Sequence, residues 1–350
     1  MTSKLIPEYA GLLLSCKTPN QVNGLHIEFE NSITPAEVFE LAAAGASIVD
    51  HVDARGHEAP GAPESQVYAV LREALSSAPP VHASYALRWI ANMQAFMSLS
   101  GKDRPEPFLR QRRGQYVSLY TDGKDSPSKR LAICFAGAGQ RMMMPTGVFL
   151  QHIDASQNDV LMLRDVARNG YRHGIPGVAD SLEELVQIIG ANRKKTYSSV
   201  VSLGVSGGGM PAIWAALQLD LDKGVSVGGN NPADQRWQLW EDEGIARPFR
   251  HFRARMTRAP NLLYVFGADQ RRDREAASGL AELLPVRTIA VVGNGGKPSG
   301  HNALYTLLQR GALSGFLEEA LSTDESWDRL GAFAANSVVE SRQGEASPIS

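Results

Sequence analysis

The chain has 350 residues, with 35 Lys and Arg against 37 Asp and Glu and a formal net charge of −2, so no global field draws it to nucleic acid or to an anionic membrane. Hydrophobic residues at 43% and charged residues at 21% are the balance of a globular protein rather than a disordered one, and the length suits about two domains. Two cysteines, Cys16 and Cys134, are too few for a disulfide framework or a cysteine zinc site, so a reducing, cytoplasmic compartment is expected.

No apolar run approaches the roughly 18 residues of a membrane span. The segment ending Leu14-Ser15-Cys16 has the look of a lipoprotein cleavage site, but its apolar run covers only Ala10 to Leu14, with Pro7 and Glu8 ahead of it, so no leader is expected. Residues 1–112 read as a helix-rich extension. A helix opens at Pro35 with Thr34 as its cap, and two more follow over Ser65–Ser76 and Ser84–Ser98, the last dense in Trp89, Met93, Phe96 and Met97. No catalytic motif falls in this region.

From Gln115 the texture changes to short β-rich apolar runs alternating with helical ones, the sequence sign of a largely parallel sheet covered by helices on both faces. Strands are expected at Tyr116–Tyr120, Arg130–Phe135, Asp159–Arg164, Ser199–Leu203, Gly224–Val227, Leu262–Phe266 and Thr288–Val292. Helices are expected at Ser181–Ile189, closed by Gly190, at Met210–Leu219, and at Asn302–Ala320. Residues 113–335 therefore read as one doubly wound α/β domain. The stretch from about 230 to 260 is too long for an ordinary connection and reads as a helical insertion, and 336–350 as a loose tail.

The pentapeptide Gly-x-Ser-x-Gly occurs twice, at Gly204–Gly208 and at Gly224–Gly228. A nucleophile elbow needs a strand entering a turn too tight for a Cβ two residues either side of the serine, and a helix leaving at once. The first copy has both. The second leaves through Gly228-Gly229-Asn230-Asn231-Pro232, which is turn chemistry, so Ser226 reads as an ordinary strand residue.

A serine hydroxyl needs an imidazole to take its proton and a carboxylate to hold that imidazole. His301 is the candidate base, in a Gly-rich loop after the last strand. Asp269, closest to the end of the preceding strand, is the favoured acid. Asp273 is the alternative, with an N-cap as its ordinary reading, and Asp165 is a weaker third.

Gly204-Val205-Ser206-Gly207-Gly208, Asp269 and His301, in that order on successive strand ends, resemble the α/β-hydrolase superfamily over roughly residues 115–322. The resemblance implies a triad of Ser206, Asp269 and His301, and an oxyanion hole from the N–H of Gly207 and one from the loop Phe135–Gln140. Within that loop Ala138 is the second donor, with Gly139 next. Ala136 stands where many members carry His. The implied activity is a serine hydrolase of carboxylesterase or thioesterase type, cleaving an ester or thioester through an acyl-enzyme, with no cofactor or metal. An acyltransferase using a sugar or other hydroxyl acceptor, and a non-catalytic scaffold of the same fold, are the alternatives. Gly139, Gln140, Trp237 and Arg250 are candidate substrate contacts. In the insertion, which in this superfamily commonly forms a cap, five arginines between Arg247 and Arg258 raise the option of an acidic substrate. His51, Asp53 and His57 are close in sequence, but Gly56, Pro60 and Gly61 mark a loop, so a solvated segment is expected there rather than a metal site. No glycine run has phosphate-binding spacing and no basic patch is interleaved with aromatics for nucleic acid. Nothing in the sequence sets the oligomeric state.

Overall fold

In a computed structural model of the chain, residues 5–51, 66–192, 197–231 and 261–322 are described, together with Trp327 and Leu330. The chain divides into two compact units, one of Met1–Phe108 with Pro145–His152, the other of Leu109–Met144 with Ile153–Ser350. The change from helical to sheet texture thus comes a few residues earlier than 112. The reason is a short strand at Leu109–Arg112 that pairs with the next one. It is an edge strand with mostly exposed side chains, so it carries no apolar alternation by which sequence could find it.

The first unit has five described helices in its amino-terminal part, α1 (Leu5–Ser15), α2 (Pro19–Glu30), α3 (Pro35–His51), α4 (Gln66–Ser77) and α5 (Pro80–Ser100), and the five-residue α6 (Thr146–Leu150). Thr34 caps α3 as expected, and Glu37 closes the reciprocal half of the box: its carboxylate accepts the Thr34 N–H at 2.7 Å, while Thr34 Oγ1 accepts the Glu37 N–H at 3.4 Å. Thr18 and Gln21 repeat this box on α2. Tyr9, His26, Phe29 and Trp89 form an aromatic core, with His26 stacked on Trp89 at 4.7 Å. Gly147 of α6 passes so close to α3 that a Cβ there would lie 2.5 Å from Val38 Cγ2.

The second unit is built on an eight-stranded sheet: β1 (Leu109–Arg112), β2 (Val117–Thr121), β3 (Arg130–Phe135), β4 (Asn158–Leu163), β5 (Ser199–Val205), β6 (Lys223–Val227), β7 (Leu262–Gly267) and β8 (Val286–Val291). Their spatial order is β1-β2-β4-β3-β5-β6-β7-β8. β1 and β2 are antiparallel to their neighbours, and every pairing from β4 to β8 is parallel. The chain moves outward from β3 to β4 and then returns to add β5 on the other side of β3, so the sheet switches direction there. Phe135 pairs with Gly204 and Val205 with Val227, which brings the carboxyl ends of β3, β5 and β6 to one edge, where an open α/β sheet has its crevice.

Helices α7 (Leu182–Asn192), α8 (Gly209–Gln218) and α9 (Arg271–Leu283) share one core with alternate residues of the strands, among them Ile133, Phe135, Tyr264 and Phe266. The intervening residues, such as Cys134 and Val265, are also buried and point to the other face. Two helix ends differ from expectation. α7 runs through Gly190; a Cβ at that position would meet Leu219 Cδ2 at 2.7 Å, so the glycine serves close packing there rather than a helix stop. The closing helix is two, α10 (Ala303–Gln309) and α11 (Leu313–Leu321). Gly311 at φ +67 separates them, its N–H on Leu308 O and the Ala312 N–H on Leu307 O, the two bonds of a Schellman stop.

Candidate active site

β5 delivers Ser206 from extended backbone at Val205 straight into a single 3-10 turn, Ser206–Gly208, from which α8 leaves. Ser206 sits at φ +49, a left-handed conformation that costs a non-glycine residue roughly 1–2 kcal/mol, and such strain concentrates at functional positions. The glycines of the pentapeptide make the turn possible. A Cβ on Gly204 would stand 2.0 Å from Gly208 O, and one on Gly208 would stand 2.2 Å from Phe135 O. The other copy of the motif has Ser226 fully buried in β6, as a strand residue.

His301 Nε2 lies 3.0 Å from Ser206 Oγ, and His301 Nδ1 lies 2.9 Å from Asp273 Oδ2 and 3.1 Å from Oδ1. A carboxylate only accepts, so Nδ1 carries the proton and donates to Asp273, which leaves Nε2 to accept from the serine hydroxyl. The hydrogen bond to Asp273 raises the His301 pKa above its ordinary value, against the desolvation that lowers it. The imidazole side chain keeps 42% of its surface exposed while the Asp273 side chain keeps 9%, so the carboxylate is shielded and the imidazole is reachable.

Asp269 is not the residue beside His301, contrary to the sequence expectation. Its Oδ2 accepts the Ser299 N–H at 3.0 Å, because the turn Gly267–Gln270, closed by Gln270 N–H on Gly267 O at 2.9 Å, faces the loop that leads to the histidine. That loop is held twice more: Thr306 Oγ1 donates to Ser299 O at 2.9 Å, and Gly267 passes Gly300 so closely that a Cβ would sit 2.0 Å from its carbonyl oxygen. Asp273 occupies the first turn of α9, whose cap is Gln270, so it is free of the capping role and supplies the carboxylate. Asp165 spends Oδ2 on its own loop, accepting the N–H of Asn169 at 2.8 Å and of Tyr171 at 3.0 Å.

Ser206, Gly207, Asp273 and His301 line a cavity of about 460 Å³, with Gly137 and Ala138 from the loop after β3 and Gly228 and Gly229 from the loop after β6. Ala138 lies inside the turn Gly137–Gln140, closed by Gln140 N–H on Gly137 O at 2.8 Å. Gly139 and Gln140, expected as substrate contacts, shape this turn and are not among the residues that line the cavity. Trp237 and Arg250, with residues 232–260 of the expected insertion and the tail 336–350, lie outside the described residues, as do Asp53 and His57. Gly228 carries more of the site than its sequence suggests. At φ +56 it follows β6 directly, and a Cβ on it would lie 3.1 Å from His301 Cε1 and 3.3 Å from Asp273 Oδ2. Its signal was the turn composition Gly228–Pro232, which reports a bend and not what the bend touches.

No family model matches the chain, and no curated protein matches it by sequence. Among solved structures it is similar to brefeldin A esterase, a bacterial homologue of human hormone-sensitive lipase, at 14% identity over 67% of this chain and 83% of that one, with a TM-score of 0.42. It is similar to an esterase from Pyrobaculum calidifontis at 13% identity over 66% and 90%, TM-score 0.42. It is also similar to 2,6-dihydroxy-pseudo-oxynicotine hydrolase at 13% identity over 91% and 93%, TM-score 0.42. The strand order, the elbow at the end of β5 and the loops after β7 and β8 give this chain the α/β-hydrolase fold.

Proposed function

We propose that this protein is a serine hydrolase that cleaves an ester or thioester of a small molecule through a covalent acyl-enzyme, with Asp273 rather than Asp269 as the acid. The observation that carries the reading is the unbroken chain Ser206 Oγ, His301 Nε2, His301 Nδ1, Asp273, with contacts of 3.0 and 2.9 Å. Ser206 Oγ attacks the substrate carbonyl as His301 takes its proton. The imidazolium then stands against Asp273 and returns the proton to the leaving alkoxide or thiolate; a water deprotonated by His301 hydrolyses the acyl-serine. The oxyanion forms between the N–H groups of Gly207 and Ala138. The turn bond of Gly137–Gln140 uses the Gln140 N–H and so leaves that of Ala138 for substrate. Each such donor lowers the barrier by about 3 kcal/mol.

The test is covalent labelling of the intact protein with a fluorophosphonate, followed by turnover of p-nitrophenyl acetate. Ser206 is expected to be the labelled residue, and Ser206→Ala to lose a factor of about 10³ or more in kcat, while Ser226→Ala keeps its activity within about two-fold. A folded protein that never labels, or equal losses in the two variants, refutes the assignment.

A further inference from the structure

The carbonyl of Ala136, one residue ahead of the oxyanion loop, is gripped from two sides. On one side is the elbow: a Cβ on Gly208 would lie 2.8 Å from Ala136 O, and one on Gly137 would lie 3.0 Å from Val205 O and 3.1 Å from Ser206 Cβ. On the other is Tyr171. Its hydroxyl reaches Ala136 O at 3.1 Å and Leu163 O at 2.7 Å, and Leu163 O also accepts the Ala136 N–H at 3.0 Å. One phenolic proton is thus shared between the carbonyl that ends β4 and the carbonyl that starts the oxyanion loop.

Tyr171 is built for this place rather than left there by packing alone. It is fully buried, and its ring meets Phe135 edge-on at 5.3 Å. Its backbone is at φ +62, strained for a bulky residue, and its N–H is tied at 3.0 Å to the buried carboxylate of Asp165. Burial pushes the phenol pKa well above its ordinary value, so the group remains an O–H donor throughout the range in which His301 works as a base.

We propose that Tyr171, set by Asp165, is a positioning residue for the oxyanion hole: its hydroxyl fixes the Ala136 carbonyl against the elbow and so aims the Ala138 N–H at the substrate oxygen. This rests on the acyl-enzyme reading above. The hole acts on charge that exists only in the transition state, so the loss of the hydroxyl is expected in kcat and not in KM.

The experiment is Tyr171→Phe, which keeps the ring on Phe135, assayed with p-nitrophenyl acetate across pH and with thermal unfolding in parallel. Expected are a roughly ten-fold fall in kcat, KM within about two-fold, and an unmoved midpoint of the acid limb of kcat/KM, because His301 and Asp273 are untouched. Asp165→Asn, which weakens the turn but leaves the phenol, should give the same kcat-only loss at about three-fold, and it carries the test should Tyr171→Phe not fold. Wild-type kcat in the folded variant overturns the proposal, as does a loss accompanied by a displaced pH midpoint, the mark of a loosened triad. If the wild-type chain neither labels at Ser206 nor turns over the ester, the acyl-enzyme reading itself fails; if it does both and Tyr171→Phe matches it, only the role of Tyr171 fails.

Discussion

Exchanging each aspartate of the β7–α9 region for asparagine separates the two candidate acids. Asp273→Asn removes the charge 2.9 Å from His301 Nδ1. A hydrogen bond to a charged group contributes about 1.5–3 kcal/mol, which at 1.36 kcal/mol per decade is a factor of about 10 to 10² in rate. The asparagine NH₂ group can also donate to Nδ1, which selects the tautomer with the proton on Nε2 and leaves no lone pair for the Ser206 hydroxyl; that error brings the total toward about 10⁴. Asp269→Asn keeps an amide oxygen for the Ser299 N–H and should cost less than about ten-fold. The assay is kcat/KM for p-nitrophenyl acetate against pH. Asp273 raises the His301 pKa, and the base must be neutral, so wild-type activity climbs through a midpoint above the ordinary histidine value of about 6.5. In Asp273→Asn the midpoint moves down toward that value, while in Asp269→Asn it stays. A larger loss in Asp269→Asn, or a residual activity in Asp273→Asn within ten-fold of wild type, refutes the assignment.

Gly228→Ala should lower kcat/KM by about ten-fold or more, because the new Cβ lies 3.1 Å from His301 Cε1 and the backbone is at φ +56; kinetics on the folded variant decide it, and wild-type rates would mean that the histidine yields freely. The His301 pairing also links stability to pH. The folded-state pKa is raised, so its contribution is fully present below the ordinary histidine pKa and is lost as pH rises through the raised value; chemical denaturation should find the deficit of Asp273→Asn larger at pH 6 than at pH 9. Lys129, 2% exposed and paired with Asp122 and Asp159, should cost about 3–5 kcal/mol when replaced by Ala, since two carboxylates stay buried without their cation. Thr34→Ala should cost the first unit about 1 kcal/mol through its lost cap, read from the urea midpoint.

What sequence could show here was whatever local chemistry alone decides. The seven strands β2 to β8 are apolar runs bounded by turn residues, and the elbow needs glycine for reasons that lie within five residues. β1 is exposed and polar and left no pattern. α2 is not among the helices expected from the sequence, although Thr18 and Gln21 form a capping box of the same kind as the one that starts α3. The glycines show where local reading stops. The sequence reads Gly190 as a helix stop and Gly311 as helix interior, yet only Gly311 takes a left-handed φ, while Gly190 stays helical under Leu219. Only a partner 29 residues away distinguishes them.

The same limit governs the acid. Nearness to the strand end favoured Asp269, but in this sheet the residue closest to β7 meets the backbone that leads to His301, and the residue one helical turn farther meets the ring. Both carboxylates therefore serve the histidine, Asp269 by fixing the loop through Ser299 and Asp273 by contact. The second Gly-x-Ser-x-Gly takes on meaning in this light. Its serine is an ordinary strand residue, but its last glycine, its N–H bonded to Val265 O of β7 at 2.7 Å and its backbone turned to φ +56, gives His301 and Asp273 the room to meet. The two pentapeptides end on neighbouring parallel strands at the same edge, one placing Ser206 and the other leaving the space for His301 beside it. The repeat that weakened the motif as a sequence signal is, in the folded chain, part of one site.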